Sequence, residues 1–502
     1  MDSFSLWLLG RIQSVWASYI LHQRTIRITS VSVVSLAFLS SALYFGHLYA
    51  TQHLQKSAVT EATPTLSLPE GGQLVVGLQD SIVHTCKAGD TLHSLLRDYY
   101  KHSYIFLRDD FKSAFLELNP ELKSSSSCKA QTVVTIPDPI VKAIENTPLS
   151  VHPESENRSM TVKAVYLRGE NAVPGRLSKE VSRLKKAGAN AIVFDVKDIL
   201  GVVNYTTSIA QVEEYRKHKA PIPDIAKMIR FFHENDIYVI ARASMFQDEN
   251  LAIIRPDLAI SDRNSPTGKL LVKGKPLWVD PGQPEVQLYN LKIIHELVQL
   301  GVDEIQLDYI RYPAEGDLSG VTFYKVNQPL DKTRHLTDFL AAAWILTRTT
   351  GVRLSIDVFG VVAWGEEADR NSTGQRLEAF APFVDVVSPM LYPSHFNKGF
   401  DGFSQPADAP VHFYKSGNQR VRQMMGPNVV IRPWLQAFKW RVTNYNERYI
   451  LQQIQGSDEG GGQGWMMWNA GNQYDLVYRA LSGQTTVDLV ENTDLKMQEK
   501  VN

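Results

Sequence analysis

The chain has 502 residues, and its 52 Lys+Arg against 53 Asp+Glu leave a formal net charge of −1, so nothing in the charge balance points to a nucleic-acid partner. Hydrophobic residues at 44% and charged residues at 21% are ordinary for globular protein, and the length exceeds one average domain. The two cysteines, Cys86 and Cys128, form no Cys/His pattern with zinc spacing, and neither a metal nor a cofactor is expected.

In chain order, residues 28–50 come first as an element. They contain no Asp, Glu, Lys or Arg and are long enough to cross a bilayer core, which takes about 20 apolar residues. Arg11, Arg24 and Arg27 precede them, so the positive-inside rule leaves residues 1–27 in the cytoplasm. No small-x-small cleavage site follows, which predicts an uncleaved signal anchor with the bulk of the chain periplasmic or extracellular. A buried core helix is the alternative. Residues 51–80, rich in Thr, Pro, Gly and Ser, read as a linker.

Residues 82–138 read as a small separate unit. A strand around His84 leads into Gly89-Asp90-Thr91-Leu92 and a helix through Leu95 and Leu96. A second helix carries Phe111, Phe115 and Leu118 and stops at Asn119-Pro120; Val133 to Pro137 closes the unit as a strand. Cys86 and Cys128 stand at its two ends, beside its edge strands. In an oxidising compartment they can pair, and closing a loop of about 40 residues contributes roughly 3–4 kcal/mol. So small a core makes such a staple physically sensible. Two buried free thiols are the alternative. Gly89-Asp90-Thr91-Leu92, Leu118-Asn119-Pro120 and Thr135-Ile136-Pro137 resemble the LysM domain. That resemblance implies binding of peptidoglycan or another N-acetylated sugar polymer. The segment 99–110 between the two helices is longer than that pattern. The alternative is a structural spacer. A second linker, 139–159, follows.

From residue 160 to 482 the pattern alternates between strand and helix. The strands are expected at 162–168, 192–198, 238–244, 302–308, 353–358, 384–392, 431–436 and 465–469. In the fourth, Ile305, Leu307 and Tyr309 share one parity and Glu304, Gln306 and Asp308 the other, so one face is apolar and the other ends in a carboxylate. Helices are expected at 177–187 before Gly188, from Pro223, from Pro284 to the residue before Gly301, and at 337–350 before Gly351. Eight strand–helix units predict a (β/α)8 TIM barrel, preceded by the membrane helix and the small α+β module. A doubly wound open sheet is the rival. It would carry a glycine-rich phosphate loop after its first strand, where this chain has Arg168-Gly169-Glu170. Residues 483–502 are a charged tail.

The region from about residue 160 to 480 also resembles a bacterial glycoside-hydrolase-like family long catalogued as of unknown function, itself similar to amylase-like sugar-cleaving barrels. The residues that carry the resemblance include Asn190-Ala191-Ile192-Val193-Phe194-Asp195-Val196-Lys197-Asp198, Trp278-Val279-Asp280-Pro281-Gly282 and Gln306-Leu307-Asp308-Tyr309-Ile310-Arg311-Tyr312-Pro313. Ser355 to Gly360, Ser388 to Pro393 and Arg432 to Gln436 extend it over nearly the whole barrel.

The resemblance implies hydrolysis of a polysaccharide by two carboxyl groups. In amylase-like barrels these stand at the ends of the fourth and fifth strands. By strand order Asp308 is the nucleophile or base and Asp357 the general acid, although amylase-like barrels carry Glu at the latter position. Glu366 and Glu367 in the following loop are reserve acids. Gln436 ends the seventh strand, where other sugar-cleaving barrels carry a Glu, and it cannot titrate. Arg311 is expected to pair with Asp308 and hold it ionised. Asp195 and Lys197 bond sugar hydroxyls or form an ion pair; Tyr392, Trp434, Gln436, Trp468 and Asn469 line the substrate site, the aromatics by stacking or as core. Asp280-Pro281-Gly282 reads as a turn device. A non-catalytic carbohydrate-binding barrel at the cell wall stays open as an alternative. A metal-dependent deacetylase fits less well, because His233, His295 and His395 are scattered without ligand spacing.

Overall fold

The computed structural model describes the backbone of residues 72–75 and residues 81–123, 127–138 and 160–483. The expected membrane anchor at 28–50, the linker 139–159 and residues 484–502 of the tail lie outside the described residues; within the expected linker 51–80, residues 72–75 form a strand instead, paired with residues 81–84. Among the described residues no helix is long and apolar enough to cross a membrane.

The small unit comprises β1 (Gly72–Val75), β2 (Ser81–Thr85), α1 (Leu92–Tyr99), α2 (Arg108–Leu118) and β3 (Val133–Thr135). β2 is the central strand, antiparallel to both neighbours. Thr91 and Ser94 form a capping box that starts α1. Leu95, Tyr99, Phe111, Phe115 and Val134 form a core of their own, closed by the Cys86–Cys128 disulfide.

The barrel strands are β4 (Val162–Leu167), β5 (Ala191–Lys197), β6 (Tyr238–Ser244), β7 (Glu304–Asp308), β8 (Arg353–Phe359), β9 (Val386–Met390), β10 (Val430–Ile431), β11 (Trp434–Gln436) and β12 (Gly464–Trp468). Neighbouring strands are parallel throughout. β10 and β11 are two pieces of the seventh strand, interrupted at Arg432-Pro433. The first piece pairs with β9 and the second with β12, so this strand closes the ring. Proline lacks the N–H that an uninterrupted ladder needs.

Helices wrap the outside: α3 (Pro174–Lys186), α4 (Ile225–Glu234), α5 (Pro284–Gln299), α6 (Pro329–Thr347), α7 (Pro410–Met425), α8 (Glu447–Glu459) and α9 (Asp475–Leu481). Gly188, Gly301 and Gly351 follow α3, α5 and α6 with positive φ, as the sequence predicts. α4 begins at Ile225 rather than Pro223, because the Asp224 side chain caps it by accepting the Lys227 N–H. α6 begins eight residues before the expected Thr337, at Pro329, because Gln328 and Asp331 form a capping box there.

The two faces of the strands divide as their parity predicts. Ile192, Phe194, Ile305, Leu307, Leu354 and Ile356 belong to the large apolar cluster under the helices. The opposite parity fills the barrel interior. At its floor Glu304 pairs with Arg432 at 2.8 Å, and the Tyr238 hydroxyl donates to Glu304 at 3.1 Å. In the middle Gln306 Nε2 donates to Ser388 Oγ at 3.2 Å. The layer nearest the carboxyl ends of the strands holds Tyr166, Asp195, Arg242, Asp308, Asp357 and Trp434.

Candidate functional site

The centre of the upper layer is Arg242 on β6. Its guanidinium forms ion pairs with Asp195 of β5 and Asp308 of β7, and its Nε reaches Asp357 of β8 at 3.2 Å. Four consecutive strands each contribute one of these residues, all from the inward parity. The phenol of Tyr166 donates to Asp195 Oδ2 at 2.5 Å, and Trp434 Nε1 donates to Asp357 Oδ1 at 2.7 Å. The backbone N–H of Tyr309 donates to Asp308 Oδ1 at 2.6 Å. Tyr309 has φ of 52°, a left-handed conformation unusual for a tyrosine. It turns the chain at the very residue after the carboxylate.

Charge balance governs this cluster, because one cation meets three carboxyls in a desolvated layer. Burial pushes Asp357 well above the usual carboxylate range, and the charge of Asp308 adds to the push while Arg242 opposes it. Burial also raises Asp195, against Arg242 and the Tyr166 hydrogen bond. Access differs among them. The side chains of Arg242, Asp195 and Asp308 are 8%, 7% and 5% exposed, whereas that of Asp357 is fully enclosed at 0%.

Asp308 and Asp357 therefore sit at one rim, as expected, but only Asp308 touches the mouth. Arg311 does not pair with Asp308. It bonds Glu315 at 2.6 Å and the Tyr312 carbonyl at 3.0 Å, and stacks over Phe359 and Trp278. Tyr309, turned by its positive φ, sends the following residues away from the carboxylate; the partner of Asp308 is Arg242. Lys197 neither pairs with Asp195 nor faces the mouth. The ladder is irregular between Asp195 and Lys197, and the Lys197 ammonium is buried against Asp248 at 2.8 Å and Asn290 at 3.0 Å.

Three residues expected to line the substrate site are occupied by the protein itself. Trp434 is 1% exposed and holds Asp357 instead of offering a stacking face. Gln436 is fully buried and donates to the carbonyls of Phe438 and Trp440. Asn469 donates to the Ala437 carbonyl at 2.6 Å and accepts the Gly471 N–H at 2.8 Å, forming a turn. Trp468 is half-buried, stacks on Tyr166 at 6.3 Å and meets Tyr392, itself 7% exposed, at 6.0 Å. Asp280 accepts the N–H groups of Gly282 and Tyr324, as a turn device does. Glu367 pairs with Arg376 at 2.6 Å on the surface, and Glu366 is exposed at the start of the same short helix.

The sequence reading missed Arg242 and Tyr166 as site residues. Both carry a signal: each is a polar side chain on the inward parity near the carboxyl end of its strand. Among the described residues the one set within metal-binding reach is His84, Cys86 and Asp90, and the Cys86 sulfur is committed to the disulfide.

Residues 164–474 match a family model described as "Putative glycosyl hydrolase domain". A solved hypothetical protein from Ruminiclostridium thermocellum is 32% identical over 39% of this chain and 97% of that one, with a TM-score of 0.33. The glycoside hydrolase domain of PgaB (BpsB) from Bordetella bronchiseptica is 13% identical over 64% of this chain and 98% of that one, with a TM-score of 0.49. The Bacillus cereus spore cortex-lytic enzyme SleL is 13% identical over 80% of this chain and 85% of that one, with a TM-score of 0.37. No curated protein matches the chain. The family match spans well over half of the sequence and the whole ring of strands, and the chain therefore belongs to this family of glycosyl hydrolase domains.

Proposed function

We propose that the barrel mouth hydrolyses glycosidic bonds of a polysaccharide, with Asp308 as the reacting carboxylate. The observation that carries this reading is the meeting of three carboxyls from three strands on the single Arg242 guanidinium at the carboxyl rim. Hydrolysis of a glycoside needs one ionised and one protonated carboxyl. Asp308, paired with Arg242 and bonded by the Tyr309 N–H, acts as nucleophile or as base for water. The acid role expected of Asp357 passes to Asp195, the raised carboxyl that touches the mouth. Asp357, enclosed behind Arg242, is a positioning residue that fixes the guanidinium.

Asp308→Asn is expected to abolish polymer turnover with the fold intact. Asp195→Asn is expected to lose turnover of polymer but keep much of it on aryl glycosides whose leaving group needs no proton. Full polymer turnover by Asp308→Asn would overturn the assignment. The low exposure of the cluster favours a second reading, a barrel that binds carbohydrate without cleaving it; it predicts polymer binding by the unsubstituted chain with no released ends.

The module 81–138 supports a LysM-like role. Two helices pack on an antiparallel sheet, and the disulfide suits an oxidising compartment. Its proposed ligand is peptidoglycan or another N-acetylhexosamine polymer. With residues 28–50 as a membrane anchor, the hydrolase would act at the cell envelope, periplasmic or extracellular.

A further inference from the structure

An unbroken row of rings leaves the carboxylate cluster on the side of β9, β11 and β12. Tyr166, bonded to Asp195, stacks on Trp468. Trp468 meets the edge of Phe438 at 5.4 Å, and Phe438 and Tyr392 both contact His395, at 6.0 and 5.1 Å. His395 in turn meets Trp440 at 5.0 Å. Exposure grows outward along the row: Trp468 and Phe438 are half-buried, His395 is exposed, and Trp440 is 49% exposed. Trp440 places a large aromatic surface at the outer end of the row.

The loop that carries Trp440 is held in place rather than loose. Gln436, inside the barrel wall, grips the carbonyls of Phe438 and Trp440. Arg441 stands in the left-handed region at φ 58°, bonds the Ser394 carbonyl at 3.3 Å and stacks on Trp440 at 4.3 Å. Its own carbonyl accepts from Gln405 at 2.9 Å. A non-glycine residue kept in that conformation, with braces on both sides, marks a loop whose shape is specified. Lys439 and Arg441 flank Trp440, both exposed, and neither pairs with a carboxylate among the described residues.

From this arrangement we infer that the row is an extended subsite for an acidic polysaccharide, one bearing carboxylates along its chain, running from the cluster out to Trp440. The outer rings, from half-buried Trp468 and Phe438 to exposed His395 and Trp440, offer ring surface to the polymer, and Lys439 and Arg441 meet the polymer's charges where the cluster itself would repel them. This inference rests on the reading that the mouth accepts a saccharide. It adds the direction of the chain and its charge.

The test measures binding of the full chain to polygalacturonate and to neutral dextran, at low and high salt. Trp440→Ala is expected to weaken polygalacturonate binding about tenfold, as loss of one stacking contact implies. Lys439→Gln with Arg441→Gln is expected to remove the preference for polygalacturonate over dextran, together with its salt dependence. Unchanged binding in Trp440→Ala, or equal affinity of the unsubstituted chain for the two polymers, overturns the inference. Asp308→Asn separates the two readings: polymer binding that survives in this variant, with the Trp440 dependence intact, supports the subsite whether or not turnover is lost.

Discussion

Arg242 is the residue on which the mouth depends. It is a buried cation bonded to three carboxyls, and removing one partner of a buried charge network leaves the others uncompensated. Arg242→Met is expected to destabilise the barrel by about 3–5 kcal/mol at neutral pH. The loss should shrink toward acid pH, where the carboxyls can take up protons. Thermal melts at two pH values check this, and a loss that grows toward acid would refute it.

Asp357 gives the complementary pH effect. Its folded carboxyl lies well above the unfolded value, which is about 3.9. The folded state therefore holds the proton more tightly. The stability this lends is complete below the unfolded value and is lost as pH rises through the folded one. Asp357→Asn, which cannot titrate, is expected to flatten the fall of melting temperature above about pH 4 relative to the unsubstituted chain. A variant with the same slope would show that other buried acids, such as Asp198, raised to about 6 by burial, dominate instead.

At the scale of elements, closure of the ring is the delicate step. β12 opens at Gly464 with φ of 90°, and a Cβ there would lie 2.0 Å from the carbonyl oxygen of Val162 on β4. Both the conformation and the close approach demand glycine. Gly464→Ala is expected to cost at least about 1–3 kcal/mol, read as a lowered denaturant midpoint of the barrel transition. The interrupted seventh strand shows the same economy of pairing: Pro433 stands where the ladder passes from β9 to β12.

At the scale of the whole molecule, the small module is not an independent bead. The segment that makes it longer than its resemblance predicts, 99–110, is the segment that docks on α4. Phe106 joins the apolar cluster of the barrel and meets Phe231 at 5.3 Å. Lys227 Nζ donates to the Tyr100 carbonyl at 2.6 Å, and Arg230 pairs with Asp138 at 3.1 Å. Phe231→Asp is expected to undock the module, so that limited proteolysis cuts within 99–110 where the unsubstituted chain resists.

Reduction of the Cys86–Cys128 disulfide removes a closure over a separation of 42 residues. It is expected to cost the module about 4 kcal/mol and to leave the barrel transition in place. Calorimetry with and without a dithiol reductant distinguishes this from a joint loss of both transitions.

The sequence by itself determined the ring of eight strands, their inward and outward faces and the rim that carries Asp308, because these follow from a period of two and from local caps. It also named Asp195, Asp308 and Asp357 among the candidate site residues. Only the tertiary structure decided who meets whom. Arg242 lies 66 residues from Asp308 and 115 from Asp357, and no local pattern in a strand says which neighbour across the barrel its side chain will reach. For the same reason the nearest cation in sequence, Arg311, was the wrong partner: a single residue of positive φ at Tyr309 redirects the chain, and contact through space outranks adjacency along it.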